Sequence, residues 1–167
     1  LDLDMRKAKS NLPFVIADES QGISTILIQK NTWKECLIKT SLENFDYLAA
    51  GPHPPNPSEL LLNGEFSNLL EELKEHYDYI VMDTPPIGLV TDGIMAMKRS
   101  DLSIYVLRAN YSQRDFINSL HRTVTINKFS NIAVVLNAIP SSGKSYGYAY
   151  YQEKETKKSW WRNLIKS

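Results

Sequence analysis

Asp2 and Asp4 stand two residues apart in the opening stretch LDLDMRK, and on an extended chain that spacing turns both carboxylates to one face. Such a pair can bind Mg²⁺ and accept a proton from an attacking hydroxyl. Arg6 and Lys7 follow at once and would counter phosphate charge. The same residues also suit a solvated turn, and their types alone leave both readings open. Asp83 closes the apolar run YIVMD ahead of TPP. A carboxylate ending a buried strand is costly to desolvate unless it is used or paired. It reads either as a Walker B aspartate holding Mg²⁺ through water or as a cap for the following turn.

A second candidate is AIPSSGKS, residues 138–145, which fits the looser form of a phosphate-binding loop. A working loop of this kind wraps phosphates in backbone N–H groups and runs directly into a helix. Here Ala138 replaces the first glycine, Pro140 removes an N–H, and Ser145 leads into YGYAYYQEKE, where helix formers should stand. The stretch reads better as the leader of a tyrosine cluster. Tyr146, Tyr148, Tyr150 and Tyr151 lie close together in a polar, glycine-containing setting, as acceptors of modification would. Each phosphate would add about −1.5 to −2 charges beside Lys144, Lys154, Lys157 and Lys158. A packing or aggregation-prone aromatic segment is the alternative.

These residues need elements to position them. GISTILIQ (22–29) reads as a short helix and FDYLAAG (45–51) as a short strand. Asn56, Pro57 and Glu59 have the types that open a helix, continued by Phe66, Leu69, Leu70 and Leu73 at helical spacing. DYIVMD (78–83), DLSIYVLRA (101–109) and NIAVVLNAI (131–139) read as strands buried on both faces of a parallel sheet. Ser112 and Asp115 open an amphipathic helix on Phe116, Leu120 and Val124. Strands alternating with helices imply an α/β fold: three layers, a mostly parallel sheet, helices on both faces. Ligands of such sheets bind beyond the carboxyl ends of the strands, where Asp83 and Asn137 are expected. Asn137 closes VVLN and could equally be a plain turn residue.

The bulk numbers narrow the partners. The 167 residues suit one domain, and equal counts of 19 basic and 19 acidic residues give no field that points to nucleic acid. Cys36 is the one cysteine, so no disulfide forms within the chain. His53, His76 and His121 lack metal-ligand spacing. No apolar run approaches the roughly 20 residues of a membrane span. KKSWWRNLIKS (157–167) suits either a membrane-surface helix or a frayed terminus. The chain starts at Leu1 inside a pattern and is expected to be a piece of something longer.

With these residues in view, LDLDMRK resembles the Walker A′ motif of bacterial tyrosine kinases, the P-loop kinases of capsule and exopolysaccharide export. GPHPPNPSELL resembles that family's G-x-x-PPNPSELL segment. YDYIVMDTPP resembles its Walker B strand, followed by VTD at 90–92, and residues 146–151 its autophosphorylated tail. The match runs from Leu1 to about Tyr151 in the family's order.

The resemblance implies a MinD-like P-loop fold, N-terminally truncated, with a partial kinase domain at 1–140 and a flexible tyrosine-rich tail at 141–167. It implies ATP and Mg²⁺ as cofactors, Asp4 and Asp83 as the magnesium pair, and Asp2 as the residue that activates the acceptor hydroxyl. Arg6 and Asn137 would contact ATP, and Tyr146, Tyr148, Tyr150 and Tyr151 would be phosphorylated between subunits. Other copies of the chain in a ring, a polysaccharide co-polymerase segment of the inner membrane (fused or separate) and a tyrosine phosphatase are the implied partners. The implied place is the cytoplasmic face of the bacterial inner membrane. The family's main phosphate loop lies upstream of Walker A′ and is not in these residues, so the chain alone is expected to be a poor kinase. The rival expectations are a partitioning-type ATPase that phosphorylates no protein and a non-catalytic, kinase-like scaffold.

Overall fold

The computed structural model of the chain describes residues 1–6, 18, 20–87 and 92–140. The expected helix at 22–29 forms as α1 (Ile23–Leu27). Its first N–H groups bond out of the helix, from Ile23 to the Ala49 carbonyl at 2.8 Å and from Ser24 to that of Ala50 at 2.9 Å. This close approach requires glycine: a Cβ on Gly22 would meet the Ala49 oxygen at 2.4 Å. Thr32 then caps α2 (Trp33–Cys36), whose Glu35 carboxylate returns to the Thr32 N–H at 2.7 Å. These reciprocal bonds form a capping box.

The chain leaves α2 as β1 (Leu37–Lys39), antiparallel to β2 (Asp46–Leu48), with Leu37 opposite Leu48. Pro57 opens α3 (Pro57–Leu62), but Asn56 does not cap it as its type suggests. At φ −135° and ψ 64° the backbone does not aim the Asn56 side chain at the helix N–H groups, and its amide donates to the Glu59 carboxylate instead. Asn63 then separates α3 from α4 (Gly64–Lys74). The apolar stripe is where periodicity placed it. Phe66, Leu69, Leu70 and Leu73 are all buried against Leu3, Met5, Ile23, Leu27 and Leu61. Burying a side chain of this size stabilises by about 1.5–3 kcal/mol.

The opening stretch runs through the middle of this core. Leu1 N–H reaches the Val81 carbonyl at 2.7 Å. Asp83 N–H reaches Leu1 at 2.9 Å, Leu3 N–H reaches Asp83 at 2.8 Å, and Asp2 pairs with Asp83 as a parallel bridge. On its other side Asp2 N–H bonds the Leu48 carbonyl at 3.0 Å. Residues 1–4 therefore join the segment ending at Asp83 to β2.

Two expectations about the strands are corrected. DYIVMD is not buried on both faces: Tyr79 is 88% exposed and Val81 72%, while Ile80 and Met82 pack against the core. Beyond α5 (Asp92–Met97), β3 (Ser103–Arg108) and β4 (Ile132–Asn137) pair in parallel from Ser103 opposite Ile132 to Arg108 opposite Asn137, connected through α6 (Arg114–Asn127). Ile104, Val106, Val134 and Leu136 are exposed, although Leu107 of β3 and Leu120 of α6 are buried. Strand side chains stand off the faces of a sheet, and the faces of the two-stranded β3–β4 sheet are left largely open. Among the described residues no strand pairs with the free edges of 79–82 and β3, and both segments line a cleft of about 620 Å³. The residue before α6 is Gln113, not Ser112, because the Ser112 hydroxyl is engaged with the Arg108 N–H at 2.9 Å, closing the turn after β3. The architecture is α/β, as alternation predicts.

Candidate active site

Asp2, Asp4 and Asp83 line one cavity of about 490 Å³, together with Tyr47, Tyr77 and residues of the neighbouring segments. Local chemistry explains how they meet. Asp2 and Asp83 are held side by side by the parallel bridge, which brings residues 81 positions apart to adjoining strand ends. Asp4 lies at the turn that ends the first segment: its N–H bonds Asp2 Oδ1 at 3.0 Å, and its own Oδ1 accepts the Arg6 N–H at 3.3 Å. Asp2 is buried, Asp4 half-buried and Asp83 exposed. The gradient runs from a shielded carboxylate to one that meets solvent.

Arg6 turns its side chain away from this cavity. Its Nε donates to Asp92 Oδ2 at 3.1 Å, and Nη2 reaches Ser58 Oγ at 3.1 Å. The Ser58 hydroxyl in turn donates to Asp92 Oδ1. Asp92, at the start of α5, is only 1% exposed, so an unpaired charge there would be very costly. This cluster joins LDLDMRK, PPNPSELL and VTD through one residue of each. A further tie is the 2.7 Å bond between His53 Nδ1 and the Met5 carbonyl; because the oxygen accepts, Nδ1 carries the proton.

Asn137 ends β4 opposite Arg108, apart from the carboxylate cavity, and its Oδ1 accepts the Ala138 N–H at 2.8 Å. Tyr146, Tyr148, Tyr150, Tyr151 and Lys144 lie outside the described residues, as does Lys7. At the cavity rim Tyr77 donates to Asp46 at 2.7 Å, and Lys39 binds the same carboxylate at 2.6 Å. Burial, then the bond to Asp46, pushes the Tyr77 hydroxyl up to about 12. The Lys39 hydrogen bond, foremost, holds Asp46 below the usual carboxylate range. Three residues of this region escaped the sequence reading. Ser58 and Asp92 sat inside quoted motifs without a role, and Tyr47 carried no signal at all, since a tyrosine in a short strand is ordinary.

The donor set bears on magnesium. Asp4 and Asp83 are hard oxygen donors on one cavity. Mg²⁺ keeps several waters and needs only one or two carboxylates when phosphates complete its shell. Among the described residues no group of three or more His, Cys, Asp or Glu could close a metal cage. The pair fits an ion that arrives with phosphates, not a resident structural metal.

Comparison with known proteins gives this geometry a context. The AAA domain family matches residues 1–135. The putative tyrosine-protein kinase CapB of Staphylococcus aureus is 35% identical over 153 residues, covering 92% of this chain and 67% of CapB. The tyrosine-protein kinase Wzc of Salmonella typhimurium is 33% identical, over 91% of this chain but 21% of Wzc. The crystal structure of the chimerical protein CapA2B2 superposes with a TM-score of 0.76 at 32% identity, over 83% of this chain and 61% of that one. The chain thus spans only part of each protein it matches.

Proposed function

Because the chain belongs to the bacterial tyrosine-protein kinase family and carries its AAA domain, we propose that it is the larger part of a kinase domain that phosphorylates tyrosines in its own tail. One observation carries the reading: Asp2, Asp4 and Asp83, drawn from two separate motifs, line a single cavity at adjoining strand ends. Phosphoryl transfer asks little covalent chemistry of a protein and depends on positioning and charge stabilisation. In that role Asp4 and Asp83 would hold Mg²⁺, which would neutralise phosphate charge. The acceptor's phenol oxygen bonds to the γ-phosphorus of ATP as the bond to the β-phosphate oxygen breaks and ADP leaves. Asp2 takes the phenol proton. Arg6 serves the site through Asp92 and Ser58, which fix the turn after Asp4, and Asn137 is a candidate for adenine.

The acceptors are Tyr146, Tyr148, Tyr150 and Tyr151, offered to a neighbouring copy. Added phosphate charge repels the tail from that copy and loosens the assembly, which regulates polysaccharide polymerisation and export at the inner membrane and is reset by a tyrosine phosphatase. The phosphate loop comes from sequence beyond these 167 residues, so the chain alone transfers little phosphate. The cleft between 79–82 and β3 is suited to the strand that delivers that loop, with an open edge on each side. The test uses the full-length protein with MgATP and phosphotyrosine mapping. We expect label on the four tail tyrosines. Mixing an Asp83→Asn protein with an active protein lacking those tyrosines should label the inactive copy. ATP hydrolysis without phosphotyrosine would sink this reading in favour of an ATPase of the same fold.

A further inference from the structure

Tyr47 donates its hydroxyl hydrogen bond to Asp2 Oδ2 at 2.9 Å, while Asp2 Oδ1 accepts the Asp4 N–H at 3.0 Å. Both side chains are shielded, Tyr47 at 7% and Asp2 at 5% exposure, and both line the carboxylate cavity. The terminal torsion of an aspartate is broad and roughly two-fold, so nothing intrinsic sets the plane of its carboxylate. Among the described residues two donors hold it. One is local, from Asp4 two residues on, and the other comes from β2, 45 residues away in sequence. Ile38 of β1 pairs with Tyr47 along the strand, so the phenol is delivered by a sheet and not by a loop. These bonds engage both carboxylate oxygens, one donor on each.

We propose that Tyr47 is a positioning residue for phosphoryl transfer: it fixes the Asp2 carboxylate in the orientation that receives the acceptor's proton. The inference rests on the reading of Asp2 as proton acceptor. It assigns the β1–β2 hairpin, which carries none of the motif residues, a direct bond to the reacting group. Tyr47→Phe keeps the ring that fills the site and removes the hydroxyl that bonds Asp2.

The experiment compares wild type, Tyr47→Phe, Asp2→Asn and the double variant in the full-length protein, measuring kcat, both KM values and thermal stability. Misplacement of a reacting group by about 1 Å costs on the order of a hundredfold in rate. We therefore expect Tyr47→Phe to lower kcat by about tenfold or more, with the KM for ATP and for acceptor peptide unchanged and little change in melting temperature. We further expect it to add nothing on top of Asp2→Asn, because a positioning residue has no effect once its target is gone. If Asp2→Asn abolishes transfer while Tyr47→Phe is silent, the inference fails and the functional reading stands. If Asp2→Asn leaves kcat unchanged, the reading of Asp2 fails and takes Tyr47 with it. A rise in turnover or a lower acceptor KM in Tyr47→Phe also overturns the inference, since the phenol would then be obstructing Asp2.

Discussion

Arg6 shows that the type of a side chain does not fix its partners. A guanidinium two residues beyond Asp4 has the charge to meet a phosphate, yet its Nε and Nη2 go to Asp92 and Ser58. Breaking a buried pair by removing one partner costs about 3–5 kcal/mol. The Arg6 side chain is itself 37% exposed, so water can replace part of what it gives Asp92. We expect Arg6→Ala to destabilise by about 2 kcal/mol in urea unfolding, and Arg6→Lys to recover little, because a lysine cannot span both partners as a planar fork does. Unchanged stability with a raised KM for ATP would instead put Arg6 on the nucleotide. Tyr77 gives a second test at this scale. Its hydroxyl is raised in the folded state, so the neutral phenol is favoured there. That contribution is fully present below about pH 10 and is lost as pH rises towards about 12. Ultraviolet titration should find one tyrosine ionising near 12, and Tyr77→Phe should remove both that step and part of the alkaline loss of stability.

At the scale of elements, the site depends on how α1 and β2 are fastened to the opening stretch. Gly22 lets the start of α1 touch the backbone at Ala49 and Gly51, and Gly51 itself sits at φ +79°, a region other residues rarely adopt. We expect Gly22→Ala to cost at least about 2 kcal/mol, since an overpacked contact against backbone typically costs about 1–3 kcal/mol. Phe66, fully buried in α4, is the matching test of the core: Phe66→Ala should cost about 3–5 kcal/mol. Thermal or urea unfolding measures both, and a neutral Gly22→Ala would mean that α1 can shift off β2. The helices were the most legible elements. A 3.6-residue stripe such as Phe66, Leu69, Leu70 and Leu73 is written directly in spacing, whereas the loss of the Asn56 cap depends on a backbone angle that spacing does not specify.

For the whole molecule the telling feature is apolar surface left open. Tyr79, Val81, Ile104, Val106, Val134 and Leu136 are exposed, and monomeric proteins rarely leave large contiguous apolar patches uncovered. The 167-residue chain should bind the dye ANS and self-associate at micromolar concentration. A longer chain that supplies the phosphate-loop segment should bind less dye and gain MgATP binding, measured by calorimetry. A chain that stays monomeric and dye-silent would mean that these strands are already covered.

The sequence by itself determined the chemistry on offer. Asp2, Asp4 and Asp83, their positions at strand ends, and the alternation of strand and helix all follow from residue type and local period, which are short-range properties of the chain. The tertiary structure decided which of these groups share a cavity and what faces them. The bridge between Asp2 and Asp83, the Arg6–Asp92 pair across 86 residues and the Tyr47 bond to Asp2 across 45 are long-range contacts. Each depends on how the core packs and on the registers of separate segments, and no local pattern in LDLDMRK or FDYLAAG encodes that geometry.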